Sequence, residues 1–297
     1  MSAPPGDIVL SVRDVAVSFE HPDRPENGVT RVLEGVSFDV YAGETLVIMG
    51  ASGSGKSTLL NCIIGELEPD RGSVLFRLPE LGDVDLVQAQ RPLRDAVRKR
   101  FGILFQSGAL FSSLTVAENV ALPLREHSHV DPAIIDIVVA MKLQQVRMLP
   151  HRDKLPAQLS GGQRKRAGLA RATALDPEIL FYDEPSSGLD PITAATIDEL
   201  ITDLSRKLHV TSIVVTHDMG SAFRIADRMI MLHGGRVQRI GPRSEFEKLR
   251  DTPAERLADE AQRAINQFLR GAPAGPLTET DGTREYERIL VGDQGGT

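Results

Sequence analysis

The sequence predicts an α/β protein: a parallel-sheet core with an N-terminal antiparallel β layer, an inserted α-helical lobe and a C-terminal helical extension. Two observations carry this prediction. Short apolar runs at residues 45–49, 103–105, 179–182, 212–215 and 229–232 alternate with helical stretches, the pattern of a parallel sheet covered by helices. The first run ends in a glycine-rich turn, and a helix is expected from 57 to 64, so strand, loop and helix follow in order. No internal repeat appears at solenoid periods, so the chain is expected to hold one such core.

The elements are read in chain order. Residues 8–19 and 36–40 form strands of the N-terminal layer, with a polar loop at 22–28 between them. Residues 77–100 are polar and charged by stretches and read as a loop insertion. A mainly helical region runs from about 107 to 175, and within it Asp131-Pro132 reads as an N-cap with proline at the first helical position. Ile197, Leu200, Ile201, Leu204 and Leu208 fall on one face at helical spacing. The catalytic pattern is complete by residue 241, which divides the chain into a domain at 8–241 and an extension at 242–297.

In the extension, residues 255–270 read as an amphipathic helix with Leu257, Ala261, Ala264, Ile265, Phe268 and Leu269 on one side. It is expected to pack on this chain's own core. Gly271 to Pro276 breaks it, and residues 277–297 read as a partly mobile tail with a small apolar cluster at Tyr286, Ile289, Leu290 and Val291. The segment after Pro273 is expected to reach a partner subunit.

Composition narrows the function classes. The chain has 297 residues, 41% of them hydrophobic, enough for a real core. A formal charge of -7 gives no global footprint for nucleic acid, which is not an expected partner. The single cysteine, Cys62, excludes an intrachain disulfide framework, fits a reducing compartment and reads as a small buried hydrophobe. Neither a secretory signal nor an apolar run of the length that spans a bilayer is found, so a soluble, cytosolic chain is expected.

Chemistry concentrates in three places. Gly50-Ala51-Ser52-Gly53-Ser54-Gly55-Lys56-Ser57 satisfies G-x-x-x-x-G-K-[ST] between a strand and a helix. Its glycines let backbone N–H groups wrap around phosphate oxygens, Lys56 supplies a point charge and Ser57 a hydroxyl for Mg²⁺. Thr58 is placed for a further phosphate contact. The run 179–182 leads into Asp183-Glu184-Pro185, two carboxylates at a strand end. Asp183 is assigned to the metal and Glu184 to the attacking water. His217 sits at a second strand end, where it either contacts the terminal phosphate or serves as a capping or surface residue.

Leu159-Ser160-Gly161-Gly162-Gln163 opens an arginine-rich helix, with Ser160 reading as its N-cap. Arg164, Lys165, Arg166 and Arg171 read as a solvated face. Taken with the phosphate loop, Gln106, Asp183-Glu184, Ser187-Gly188-Leu189-Asp190 and His217, this string resembles the ABC ATPases in motif order over roughly residues 8–241. The resemblance implies a P-loop NTPase (RecA-like) core with ATP and Mg²⁺ as cofactors, and Ser57, Gln106 and Asp183 at the metal. It also implies Glu184, His217 and Gln106 in catalysis, Ser160, Gly161, Gly162 and Gln163 acting on a partner's nucleotide, and Asp190 in the D-loop. Phe19 is then either the ring that stacks on adenine or an ordinary core phenylalanine.

A finer likeness lies in residues 104–111 and 114–124, in Asp190-Pro191-Ile192-Thr193 and in Asn266-Gln267-Phe268-Leu269. These strings are similar to the ATPases of the Mla group, which power MCE-protein systems moving phospholipids or related lipids in the cell envelope. The implied partners are a second copy of the chain, a transmembrane permease and an MCE-domain lipid-binding protein, at the cytoplasmic side of the inner membrane. Phe105, Leu110, Phe111 and Leu114 read either as the permease-facing patch or as core of the helical lobe. The alternatives are an importer ATPase for a polar solute, which would share every catalytic residue, and a soluble non-transport ABC ATPase. The gap from 106 to 160 is too short for the long coiled coil of that last class.

Overall fold

The computed structural model describes residues 6–20, 28–273 and 275–279. The core is a six-stranded sheet in the order β10-β9-β3-β8-β7-β6. It comprises β3 (Thr45–Met49), β6 (Phe101–Leu104), β7 (Ile179–Asp183), β8 (Thr211–Thr216), β9 (Arg228–His233) and β10 (Arg236–Pro242). All neighbours are parallel except β9 and β10.

Side chains of the central strands alternate strictly between two cores. Val47, Met49, Leu180, Tyr182, Val214, Met229 and Met231 point into one, and Leu46, Ile48, Ile179, Phe181, Ile213, Val215, Ile230 and Leu232 into the other. Burial on both faces is why these strands read as unbroken apolar runs.

The second core is closed by a four-stranded antiparallel sheet, β2-β1-β4-β5, formed by β1 (Ile8–Glu20), β2 (Val29–Tyr41), β4 (Arg71–Leu78) and β5 (Gly82–Asp85). The loop expected at 22–28 lies almost wholly outside the described residues. The insertion expected at 77–100 is instead the end of β4, β5 and the helix α2 (Arg91–Arg98). Val74, Phe76, Leu78, Val84, Leu86 and Val97 are buried there. Their alternation is masked by outward charges such as the Arg77–Asp83 pair.

The first core is closed by α3 (Val116–His127), α4 (Pro132–Gln145) and α5 (Gly161–Ala172), with α6 (Pro191–Leu208) and α7 (Met219–Ile225). Asp131 caps α4 by accepting from Ala133 N at 2.8 Å. Helix α1 (Lys56–Ile63) lies in the second core.

Two further helices, α8 (Arg243–Asp251) and α9 (Glu260–Arg270), return to the first core through Phe246, Leu249, Ile265 and Leu269. The amphipathic segment begins five residues later than expected, after a 3₁₀ turn at Ala254–Arg256, and Ala261 is exposed. Asn266, on the buried side, donates to Leu249 O (2.6 Å), Arg250 O (3.2 Å) and Thr252 O (3.0 Å), capping the end of α8. A short helix, α10 (Pro276–Glu279), packs on α9. The cluster at Tyr286, Ile289, Leu290 and Val291 lies outside the described residues, as does the tail's expected reach to a partner.

Candidate active site

Four neighbouring strands, in the order β3, β8, β7 and β6, deliver the expected residues at their carboxyl ends. The glycine loop follows β3, His217 follows β8, Asp183 closes β7 with Glu184 behind it, and Gln106 comes two residues after β6. This is the end of a parallel sheet at which α/β proteins gather ligands. A cleft of about 1010 Å³ at the opposite strand ends, lined by Ile8, Tyr41, Ile179 and Thr211, contains none of these residues.

The loop from Gly50 to Gly55 is shaped by close backbone approach. A Cβ at Gly50 would lie 2.2 Å from Leu232 O, and one at Gly55, whose φ is 97°, would lie 2.9 Å from Val32 O. Only glycine fits either position. Gly55 is the N-cap of α1, which has neither a side-chain cap nor an acidic residue in its first turn. The first-turn amides and the positive end of the helix are therefore left to an anion. Lys56 is buried and donates to Gly50 O at 2.8 Å and Ala51 O at 2.9 Å, so its ammonium is held inside the loop. Burial lowers its pKa, against the pull of Glu184 and Asp183. Ser52, Gly53 and Ser57 are exposed, Ala51 and Thr58 half-buried, and Ser54 buried with its hydroxyl unpaired.

The donor set suits a hard divalent cation. Burial, then the neighbouring Glu184, raises the Asp183 pKa, while Lys165 and Lys56 lower it, and its Oδ1 is buried with no hydrogen-bond partner. That acceptor, with the Ser57 hydroxyl, offers oxygens of the kind Mg²⁺ takes. Among the described residues no cluster of three His, Cys, Asp or Glu side chains is able to hold a metal. An ion here would rely on hydroxyl and phosphate oxygens as well as on Asp183.

Glu184 has φ of 47°, in the left-handed region that non-glycine residues avoid. Contacts hold it there. Its N–H donates to Val215 O (2.9 Å), Thr216 Oγ1 donates to Oε2 (3.3 Å), and His217 Nδ1 lies 2.8 Å from Oε1. Its carbonyl accepts from Ser187 N at 3.2 Å and from Lys165 Nζ at 2.9 Å. Gln106 Nε2 donates to Ser187 Oγ at 3.3 Å, joining the end of β6 to the loop after Glu184.

Ser160 caps α5 reciprocally: its hydroxyl accepts from Gln163 N at 3.3 Å, and its own N–H donates to Gln163 Oε1 at 2.9 Å. A Cβ at Gly162 would lie 2.5 Å from Thr193 Cγ2, and one at Gly161 3.2 Å from Leu189 Cδ2, so this corner seats on the start of α6. Asp190 caps α6 through Ile192 N and Thr193 N. Among the described residues no hydrogen bond or ion pair joins Ser160–Gln163 to the loop at 50–58.

The solvated face expected on α5 is corrected. Arg164 is exposed, but Lys165 is 5% exposed, with its pKa pushed down to about 8 by burial against the pull of Asp183 and Glu184. Arg171 is half-buried and donates to Ala109 O (2.7 Å) and Gly108 O (3.3 Å). The cause is the tight seat of α5 on β6, where a Cβ at Gly168 would lie 2.9 Å from Leu104 Cδ1 and one at Gly102 2.2 Å from Ala172 O. Lys165, Gly168, Leu169 and Ala172 follow the i, i+3, i+4, i+7 stripe of a core-facing side, a signal that outranks charge. Thr216 carried no comparable signal.

Phe19 is 44% exposed and pairs with Thr30, two residues along from Val17, whose partner Leu33 packs against Gly55. The core alternative for this ring is thereby removed.

Comparison with known proteins decides the family, because the ABC transporter family pattern matches residues 33–187. The chain belongs to the ABC transporter family. It is 38% identical over 273 residues to a probable ribonucleotide transport ATP-binding protein, mkl, of Mycobacterium leprae, covering 92% of this chain and 72% of that one. It is likewise 38% identical over 261 residues to the intermembrane phospholipid transport system ATP-binding protein MlaF of Escherichia coli, covering 88% of this chain and 91% of that one. A dimeric ATP-binding cassette solved in a post-hydrolysis state with ADP and Pi superimposes with a TM-score of 0.69 at 30% identity, covering 78% of this chain and 98% of that one.

Around Gln106 this ABC protein presents an apolar rim. Phe105 is 38% and Phe111 54% exposed, whereas Leu110 packs on the core and Leu114 is half-buried, so the patch divides. Buried Asn119 pins the Phe111 backbone at both N–H (2.8 Å) and C=O (3.1 Å) while the ring stays outside. Phe105 also lines a cleft of about 670 Å³, together with Pro123, His127, Arg171 and Leu175. Among the described residues no helix is long and apolar enough to cross a membrane.

Proposed function

We propose that this chain is the ATP-binding and ATP-hydrolysing subunit of a transporter that moves phospholipids or related lipids in the cell envelope. The observation that carries the lipid reading is the likeness to MlaF, 38% identical over 88% of this chain and 91% of that one. The gathering of the phosphate loop, Gln106, Asp183-Glu184 and His217 at four neighbouring strand ends, with His217 2.8 Å from Glu184, supports the hydrolytic reading.

Lys56, the first-turn amides of α1 and Ser52 to Thr58 hold the phosphates, with Phe19 against the adenine. Ser57, Asp183 and Gln106 would hold Mg²⁺, which when bound neutralises charge developing on the β- and γ-phosphates. Glu184 orients the attacking water and takes its proton at Oε2, the oxygen with the longer of the two side-chain contacts. His217 fixes Oε1 and faces the terminal phosphate. Ser160 to Gln163, with the D-loop residue Asp190, complete the nucleotide site of a second copy.

The permease docks at the cleft lined by Phe105 and at the exposed Phe111 on the cytoplasmic side of the membrane, and an MCE-domain protein carries the lipid beyond it. The name of the mycobacterial relative favours a second reading, a polar cargo such as a ribonucleotide. Purifying the chain with its membrane partners and identifying what they retain separates the two. Phospholipid held by the complex supports the first, and a complex free of lipid whose ATPase is stimulated by a ribonucleotide supports the second.

A further inference from the structure

Helix α5 touches the nucleotide machinery at three heights. Its N-terminal end carries Ser160 to Gln163 against Leu189 and Thr193, and its last turn holds the carbonyls of Gly108 and Ala109 through Arg171. Between them Lys165 reaches across to Glu184 O at 2.9 Å. The other hydrogen bonds to Glu184 come from β8, from the His217 that follows it, or from Glu184's own turn: Val215, Thr216, His217 and Ser187. Among the described residues Lys165 is thus the one hydrogen bond that ties Glu184 to the helical lobe.

The contact falls on the peptide unit that follows Glu184, whose own φ of 47° is disfavoured for a side-chain-bearing residue. Holding that carbonyl fixes the backbone on the C-terminal side of the Glu184 Cα, while the Val215 carbonyl fixes its N–H on the other side. A buried ammonium is an expensive way to fill a helix–strand seam, where a methionine would pack without desolvation cost. Among the described residues its ammonium donates to the backbone of Glu184 and not to a carboxylate.

We infer that Lys165 is a positioning residue: it fixes the Glu184 backbone from α5 and so couples the setting of the carboxylate to the helix that bears Ser160 to Gln163 of the same chain. The inference rests on the reading of Glu184 as the residue that activates water. Loss of the Lys165 donor then slows the chemical step while ATP binding, which depends on the loop at 50–58, is unchanged.

The test is steady-state ATPase of the full-length chain over a range of ATP concentrations for wild type, Lys165→Met, Lys165→Arg and Glu184→Gln, with trinitrophenyl-ATP affinity and Tm measured alongside. The expected result is a kcat lowered about tenfold or more in Lys165→Met, with KM and trinitrophenyl-ATP affinity within about twofold of wild type, and recovery to within about threefold in Lys165→Arg. Wild-type turnover by Lys165→Met beside an inactive Glu184→Gln overturns the inference alone. Normal turnover by Glu184→Gln overturns the reading beneath it. If kcat, nucleotide affinity and Tm fall together in Lys165→Met and Lys165→Arg does not restore kcat, Lys165 belongs to packing and the inference is overturned.

Discussion

His217 Nδ1 lies 2.8 Å from Glu184 Oε1, although the two residues stand 33 positions apart and follow different strands. Parallel pairing of β7 with β8 brings them together, with Asp183 opposite Val215, Glu184 one residue beyond that rung and His217 two. The carboxylate therefore inherits its position from the register of the sheet. A lone histidine in a turn and an acidic pair before a proline are each weak signals until that register is known.

The signature of one subunit is expected to act on the nucleotide of another. Mixing Ser160→Arg with Lys56→Ala subunits then leaves at most one intact composite site per heterodimer, and ATPase falls to roughly half of wild type or less. Activity and molar mass measured on the same sample check this. Full activity in a monodisperse monomer would contradict it.

Phe111 is expected to serve docking and not the fold. Its ring is 54% exposed while Asn119 holds its backbone, so Phe111→Asp should leave Tm and basal ATPase near wild type. Coupling to the permease should weaken by about 2 kcal/mol or more, the scale of a buried aromatic anchor. The check is basal ATPase and lipid transport by the reconstituted complex. A joint fall of both activities with Tm would assign Phe111 to the core.

Asn266 is expected to fasten the C-terminal extension. Asn266→Ala strips one buried donor from three carbonyls at the end of α8, at a cost of about 1–3 kcal/mol. For a chain of this size Tm should drop by about 2–4 °C per kcal/mol, read from thermal unfolding. An unchanged Tm would mean that water replaces the amide.

The phosphate loop, both carboxylates and the signature cap were legible because each is local: Gly55, Lys56 and Ser57 act within one turn, and Ser160 and Gln163 cap each other three residues apart. The central strands were legible because they are buried on both faces. The β4–β5 hairpin was not, since Arg77 and Asp83 on its outer face hide the alternation of Phe76, Leu78 and Val84 within. Lys165 was missed for a related reason. Its charge reads as solvent-facing, and only the three-dimensional seat of α5 on β6 turns it towards Glu184.

Glu184 is the residue on which the account turns, and Glu184→Gln, set beside Lys56→Ala, tests it most directly. The measurement is the amount and identity of nucleotide retained by each variant, together with its rate of phosphate release. Lys56→Ala should bind ATP weakly, because it removes charge that meets the phosphates in the ground state. Glu184→Gln should retain nucleotide as ATP, with phosphate release slowed roughly 10²- to 10⁴-fold. Turnover by Glu184→Gln at the wild-type rate, or retention of ADP in place of ATP, would contradict the account.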